Sequence, residues 1–251
     1  MPSPTPSFAT SSTLPADEPH PLDACLAWYQ LCEPRPWQLE LAVHPSLIET
    51  QTPPNPLASW WPRLQACLPA FLQAFHTQHQ AVGLHQPLQL AMTLPNDAAW
   101  SIDCTLVDDT TMAWLNNEHR GKPTPTDVLT FPALDTESLA ELPPFLQQQL
   151  RQQGGCLGSI VLSLDYARQH LFTPVEGMPT PSYLQAPFFS KQTVAPLCFD
   201  PSLAEHQQAL CGYVLERLCH GLLHLHEQHH ATEADFKTVV AFQKAVLDAV
   251  F

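Results

Sequence analysis

The chain has 251 residues, which is enough to bury a substantial hydrophobic core in one large domain or two small ones. Its formal net charge is −14 and it contains only ten lysines and arginines, so a broad electrostatic surface for nucleic acid is not expected. Apolar runs stay shorter than the roughly eighteen residues that a transmembrane helix needs, so we expect no membrane span.

Residues 1–24 are rich in proline, serine and threonine, which predicts a disordered tail, and residues 25–251 are predicted to form a single domain. The N-terminus lacks the basic and apolar runs of a secretory signal. The eight cysteines are scattered without a C-x-x-C pair, so we expect reduced thiols rather than disulfides. Together these features predict a cytoplasmic protein.

The first half of the domain is predicted to contain strands and one long helix. Residues 37–44 alternate apolar and polar side chains, as a strand does. Residues 57–76 have apolar side chains at helical spacing, although Pro69 predicts a kink or a break. Two alternating runs, 88–94 and 100–109, are separated by the spacing of a β-hairpin.

The middle of the domain alternates short elements. Residues 110–119 predict a short helix, and Val128–Phe131 a strand. The glutamine-rich segment 143–155 is either a weak helix or a flexible insert. Residues 156–170 predict a strand followed by the start of a helix, and 171–199 form a proline-rich irregular insert.

Two helices are predicted at the C-terminus. SLAE at 202–205 fits a capping box, so the first of them should begin near Ser202. The second should begin near Thr232, whose hydroxyl can cap it. The order of strands and helices along the chain indicates an α+β fold.

The first C-terminal helix runs into HGLLHLHEQHH at 220–230. His220 and His224 are four residues apart, hence on one helix face, where two imidazoles can chelate one metal ion. In an unbroken helix His230 would lie roughly 9 Å further along the axis than His224. It can therefore join the pair only if the helix stops after about His226 and the chain turns back.

Several alternatives stay open for this stretch. His226 lies about 200° around the helix from His224, so it should point away from the pair into solvent. His229 and Glu227 compete with His230 as the third ligand, and a histidine-rich helix end can also be merely solvated. Gly221 stands where H-E-x-x-H metalloproteases carry their glutamate base, which argues against protease activity.

Three blocks resemble the YbeY family of bacterial endoribonucleases, which act in ribosomal RNA maturation. They are LNNEHRGKPTPTDVLTFP (115–132), LGSIVLSLDYA (157–167) and HGLLHLHEQHH (220–230), in the family's order. The chain departs from the family pattern at Ser159, where the family has an acidic residue. It also departs at Glu227 and His229, where the family has glycine and aspartate.

The resemblance implies a small mixed β-sheet flanked by helices, with the metal site on the C-terminal helical side. It makes His220, His224 and His230 the ligands of one ion, Zn²⁺ or another divalent transition metal. It makes Arg120 the catalytic arginine beside that metal. Arg120 and Lys122 would then hold the phosphates of the substrate.

The function implied is that of a metal-dependent single-strand endoribonuclease. It would mature the 3′ end of 16S ribosomal RNA and take part in ribosome quality control, with the small ribosomal subunit as partner. Neither a membrane nor DNA is an expected partner. The alternatives are a non-catalytic ribosome assembly factor with a structural metal, and a hydrolase of some other substrate at the same site.

Overall fold

A computed structural model describes residues 37–45, 47, 56–82, 99–133, 140–171, 203–226, 228 and 232–251. The predicted tail and almost all of the 171–199 insert lie outside these ranges. The described elements, in chain order, are β1 (Trp37–Val43), α1 (Pro56–Val82), β2 (Ala99–Val107), α2 (Asp109–Arg120), β3 (Val128–Pro132), α3 (Pro144–Gln153), β4 (Gly154–Ser163), α4 (Leu164–His170), α5 (Ala204–Leu225) and α6 (Glu233–Asp248).

The four described strands form one mixed sheet in the order β1-β2-β4-β3. Strands β1, β2 and β4 run parallel, whereas β3 pairs antiparallel with β4 and forms one edge. Parallel neighbours need a crossover connection, and helix α1 lies between β1 and β2 in the chain. The predicted α+β class with a small mixed sheet flanked by helices is therefore confirmed.

The predicted hairpin between residues 88–94 and 100–109 is wrong. Strand β2 pairs with β1 on one edge, from Trp37 opposite Trp100 to Val43 opposite Leu106. It pairs with β4 on the other edge over its whole length. Both of its edges are thus occupied, and residues 88–94 lie outside the described part of the chain.

The two faces of the sheet are covered by different helices. Ile160 and Leu162 of β4 point into a large core formed with α1, α5 and α6. Val161, between them, points to the opposite face and packs in a smaller cluster with Met112 and Leu115 of α2. This alternation follows from the two-residue repeat of a strand. Helices α2 and α5 therefore lie on opposite faces of the sheet.

Helix α1 continues through Pro69 without the break that the sequence allows. Proline removes one helical hydrogen bond. The helix nevertheless buries an apolar stripe in the large core, and this burial offsets the loss. The stripe consists of Trp60, Trp61, Leu64, Leu68, Phe71, Leu72 and Phe75.

Both C-terminal helices begin close to the residues that the sequence predicts. Thr232 caps α6 as predicted, in a reciprocal capping box with Asp235. Helix α5 begins at Ala204, close to the predicted Ser202, and its N-cap Leu203 provides no side-chain hydrogen bond. Ser202, and with it the predicted capping box, lies outside the described residues. In the described ranges, no helix is both long and apolar enough to cross a membrane.

Candidate metal centre

His220 and His224 meet on one face of α5, as their spacing predicts. Their Nε2 atoms are 3.0 Å apart and their rings are nearly perpendicular. Both side chains are half-buried. Two nitrogens bound to one tetrahedral zinc at about 2.0–2.1 Å would lie roughly 3.3 Å from each other. The pair therefore fits a shared first-row metal ion with little movement of either ring.

Glycine at position 221 lets α5 pack closely on strand β4. A Cβ there would lie 2.8 Å from Ile160 Cγ2, shorter than any normal carbon–carbon contact. A second close contact lies one turn later, where a Cβ on Gly158 would be 2.7 Å from Leu225 Cδ2. A metalloprotease-type glutamate would not fit at position 221 without displacing the helix.

The chain turns directly after the histidine pair. Helix α5 ends at Leu225 with His226 as its C-cap, where the ligand geometry requires the end. The backbone amide of Gln228 donates to the carbonyl of Leu223 at 2.9 Å, the six-to-one bond of a Schellman turn. The predicted helix break is confirmed. His230, the predicted third ligand, lies outside the described residues, as do Glu227 and His229.

His226 is not solvated, contrary to the prediction. It is fully buried, with its ring centroid 5.7 Å from that of Phe75 and 5.2 Å from that of His79 on α1. Burial, and then the neighbouring His79, hold the pKa of His226 well below its ordinary value. The prediction that the His226 side chain points away from His220 and His224 is correct. Because those two histidines lie on the half-exposed face of α5, a side chain on the opposite face points into the core.

Arg120 and Lys122 lie at the C-terminal end of α2. Arg120 is the last residue of α2, and Gly121 caps the helix in the left-handed conformation at φ 66°. Both cationic side chains are exposed, and neither forms an ion pair within the described ranges. The helices that carry the two groups, α2 and α5, pack on opposite faces of the sheet, and the loop that follows Arg120 leads into the edge strand β3.

Arg217 is a residue of the histidine face that the sequence reasoning missed. It lies three residues before His220 and seven before His224, so all three share one stripe of α5. Its guanidinium donates to Asp127 Oδ2 at 2.9 Å and lies 5.2 Å from the centre of the Tyr213 ring. The i, i+3, i+7 spacing was the signal that could have identified it.

The described residues supply two candidate ligands and do not form a complete metal site. They contain no group of three or more histidine, cysteine, aspartate or glutamate side chains that could hold an ion. The two imidazoles that are described have the right donor type and separation for Zn²⁺ or a similar transition metal. A complete site would need a third protein ligand from residues outside the described ranges.

Fold and site together define an α+β protein in which a sheet-packed helix carries two histidines with Nε2 atoms 3.0 Å apart and ends immediately after them. The family model of Endoribonuclease YbeY matches residues 73–172. That match contains Arg120 and Lys122, whereas the histidines of α5 lie beyond it.

Curated relatives give the same assignment. An Endoribonuclease YbeY from Dinoroseobacter shibae is 30% identical over 161 residues, which cover 64% of this chain and 71% of the relative. Those from Symbiobacterium thermophilum and Synechococcus sp. are 43% identical over 65 residues and 35% identical over 111 residues. These two matches cover 26% and 44% of this chain, and 37% and 54% of the relatives' own lengths. The chain belongs to the YbeY family.

Proposed function

We propose that this protein is a metal-dependent endoribonuclease that cleaves single-stranded RNA. The observation that carries the proposal is the histidine pair, with Nε2 atoms 3.0 Å apart on a helix that ends at Leu225, in a chain of this family. The name of its relatives, Endoribonuclease YbeY, supports the reaction class. The substrate we propose is ribosomal RNA.

His220 and His224 are two of the metal's ligands in this proposal, and His230 is the third. Three imidazoles suit Zn²⁺ and also other divalent transition metals. When bound with an open coordination position, such an ion polarises a phosphoryl oxygen and lowers the pKa of a water molecule. The chain's contribution is to hold the two Nε2 atoms on a helix fixed against β4 by the close contact at Gly221.

Arg120 and Lys122 bind the RNA phosphates in this proposal. A guanidinium can donate to two phosphate oxygens at once and offsets the charge that develops on them during cleavage. The chain as a whole is strongly acidic, so RNA has to be attracted by a local group of cations. Both side chains are exposed, as a residue that meets a large substrate must be.

We further propose that the RNA is the 3′ end of 16S ribosomal RNA. In this role the protein would meet the small ribosomal subunit as its partner, both in maturation and in ribosome quality control. A single-stranded 3′ extension supports this choice, because the backbone of unpaired RNA is accessible to exposed cations such as Arg120 and Lys122.

Metal analysis combined with a cleavage assay tests the proposal. The purified chain should hold about one equivalent of zinc, and it should cleave a single-stranded RNA that carries the 16S 3′ end. The His224→Ala variant should lose both metal and activity. The Arg120→Ala variant should keep the metal and lose about 10²–10³-fold in kcat. The control variants His76→Ala and Arg63→Ala, both on α1, should behave as the wild type does.

Two results would contradict the enzyme proposal in different ways. Normal cleavage by both His224→Ala and Arg120→Ala would show that the assigned residues are not the site. A tightly held metal without any cleavage by the wild-type chain would favour a non-catalytic ribosome assembly factor. The net charge of −14 is the observation that favours this second candidate, since it opposes RNA binding over most of the surface.

A further inference from the structure

The two halves of the proposed site lie on elements that cover opposite faces of the sheet. His220 and His224 are on α5, which packs with Ile160 in the large core. Arg120 ends α2, which packs on the smaller cluster at the other face. The 121–127 loop leads from Arg120 around to the start of the edge strand β3. Something must therefore fix this loop relative to α5 if cations and metal ligands are to act on one phosphate.

Arg217 makes the connection at one end of the loop. Its Nη1 donates to Asp127 Oδ2 at 2.9 Å, which joins the last loop residue to α5 one turn before His220. The other carboxylate oxygen of Asp127 accepts from the backbone amide of Val128 at 2.9 Å. The Asp127 carbonyl accepts from the amide of Ser163, at the end of β4, at 3.0 Å. Asp127 is thus held by three elements at once.

Helix α2 holds the other end of the loop. The side-chain amide of Asn116 donates to the carbonyl of Thr124 at 2.7 Å, and Asn116 is itself buried. The amides of Gly121 and Lys122 donate back to the carbonyls of Asn117 and Asn116. With α2 at one end and Arg217 at the other, the loop has two fixed points, and Arg120 with Lys122 stands at the first of them.

The Arg217–Asp127 pair is better placed than an ordinary surface ion pair. The side chains are only 21% and 25% exposed. The guanidinium packs against the Tyr213 ring, and its Nη2 also lies 3.3 Å from Glu216 Oε1. Partial burial weakens screening by solvent, so such a pair holds its geometry more firmly than exposed pairs do. Two carboxylates already balance the charge of Arg217, which suits a structural tie better than a phosphate contact.

We propose that Arg217 is a positioning residue: through Asp127 it fixes the 121–127 loop, and thereby Arg120 and Lys122, relative to His220 and His224. This inference rests on the proposed function for its catalytic consequence. The ion pair between Arg217 and Asp127 does not itself depend on RNA cleavage. Its role is to connect α5 to the loop that leads from Arg120 and Lys122 into β3.

Two variants remove the Arg217–Asp127 ion pair, called the tie below, in different ways. Arg217→Ala removes the guanidinium. Asp127→Asn keeps an oxygen that can accept from the Val128 amide and removes the charge that Arg217 contacts. Lys237→Ala is the matched control, because Lys237 pairs with Glu233 on α6 at 2.7 Å and is 73% exposed. Each substitution is also made in an Arg120→Ala background.

Positioning predicts a dependence on Arg120 that a general loss of stability would not produce. In the wild-type background, Arg217→Ala and Asp127→Asn should each lower kcat/KM by about ten- to a hundredfold, with zinc content unchanged. In the Arg120→Ala background the same substitutions should cost less than about threefold, because residues that act as a unit are not additive. The control should leave activity unchanged in both backgrounds. Equal losses with and without Arg120 would overturn the proposal.

Hydrogen exchange of the loop separates this inference from the proposed function. If Arg217 fixes the loop, the two amides that donate to Asp127, those of Val128 and Ser163, should exchange roughly tenfold faster in Arg217→Ala, with no such change in the control. If the wild-type chain cleaves no RNA, the proposed function fails, and faster loop exchange still supports the tie. Unchanged exchange in both variants overturns the tie, whether or not the chain cleaves RNA.

Discussion

Replacing Gly221 by alanine should destabilise the protein although alanine favours helix. The new methyl group would lie 2.8 Å from Ile160 Cγ2 and 3.0 Å from Ile160 Cδ1. Normal carbon contacts are about 3.5–4.0 Å, so helix or side chain must yield by more than about half an ångström. Overpacking of this kind costs about 1–3 kcal/mol, whereas the gain in helix propensity is about 1 kcal/mol. The expected net loss in the free energy of unfolding is about 1 kcal/mol.

A second substitution makes this prediction sharper. Ile160→Ala removes the three atoms that the new methyl group would meet, at its own cost of about 2–5 kcal/mol. In that background Gly221→Ala has no close neighbour from residue 160, so only the helix gain remains. In the Ile160→Ala background, Gly221→Ala should therefore raise the free energy of unfolding by about 1 kcal/mol instead of lowering it. Urea unfolding of the four proteins, with zinc chelated, gives both values.

The packing argument predicts coupling between the two positions. A stabilising effect of Gly221→Ala in the wild-type background would show that α5 does not approach β4 as closely as described. Equal effects in both backgrounds would show that Ile160 is not the neighbour that matters. Either result would show that close packing of α5 against Ile160 is not the reason for a glycine at position 221, beside His220.

Three further predictions concern pH, capping and metal binding. Burial lowers the pKa of both His79 and His226, so the folded state binds protons at these two side chains less readily than the unfolded chain does. The free energy of unfolding should therefore fall as the pH drops below about 6.5, by up to about 1.4 kcal/mol per pH unit for each histidine. Urea unfolding at several pH values measures this dependence, and the free energy of unfolding should fall less steeply with pH in His79→Leu. Thr232→Ala removes one half of the α6 capping box and should cost about 1 kcal/mol, visible as a lower urea midpoint at unchanged m-value; an unaltered midpoint would show that the cap contributes nothing. Zinc at about one hundred times its Kd should stabilise the wild type by about 2.7 kcal/mol, and a similar gain in His220→Ala would contradict the assigned ligand.

Local patterns were sufficient to place most of the elements that carry the site. The alternation at 37–44, the apolar strand at the start of 156–170 and the short helix at 110–119 were predicted close to the observed bounds of β1, β4 and α2. Periodicity and capping depend on neighbouring residues only, so a sequence contains them in full. The end of α5 near His226 was likewise predictable, because one helix cannot bring His230 back to His224.

Long-range packing decided what local patterns could not. The alternation of 88–94 and 100–109 favours a hairpin, but β2 is paired with β1 and β4 instead. Pro69 favours a break, but α1 is held together by the apolar stripe it buries. In both cases contacts between distant parts of the chain outweigh a local preference of a few kcal/mol at most.

The sequence by itself determined the chemistry of the candidate site: two imidazoles one turn apart, a glycine where a protease has its base, and a helix that must end two residues later. Only the tertiary structure decided the surroundings of these residues. It buried His226 against Phe75 and His79, and it joined Arg217 to Asp127 ninety positions away. Spacing within one helix is fixed by backbone geometry, whereas the partner of a side chain depends on which elements the hydrophobic core brings together.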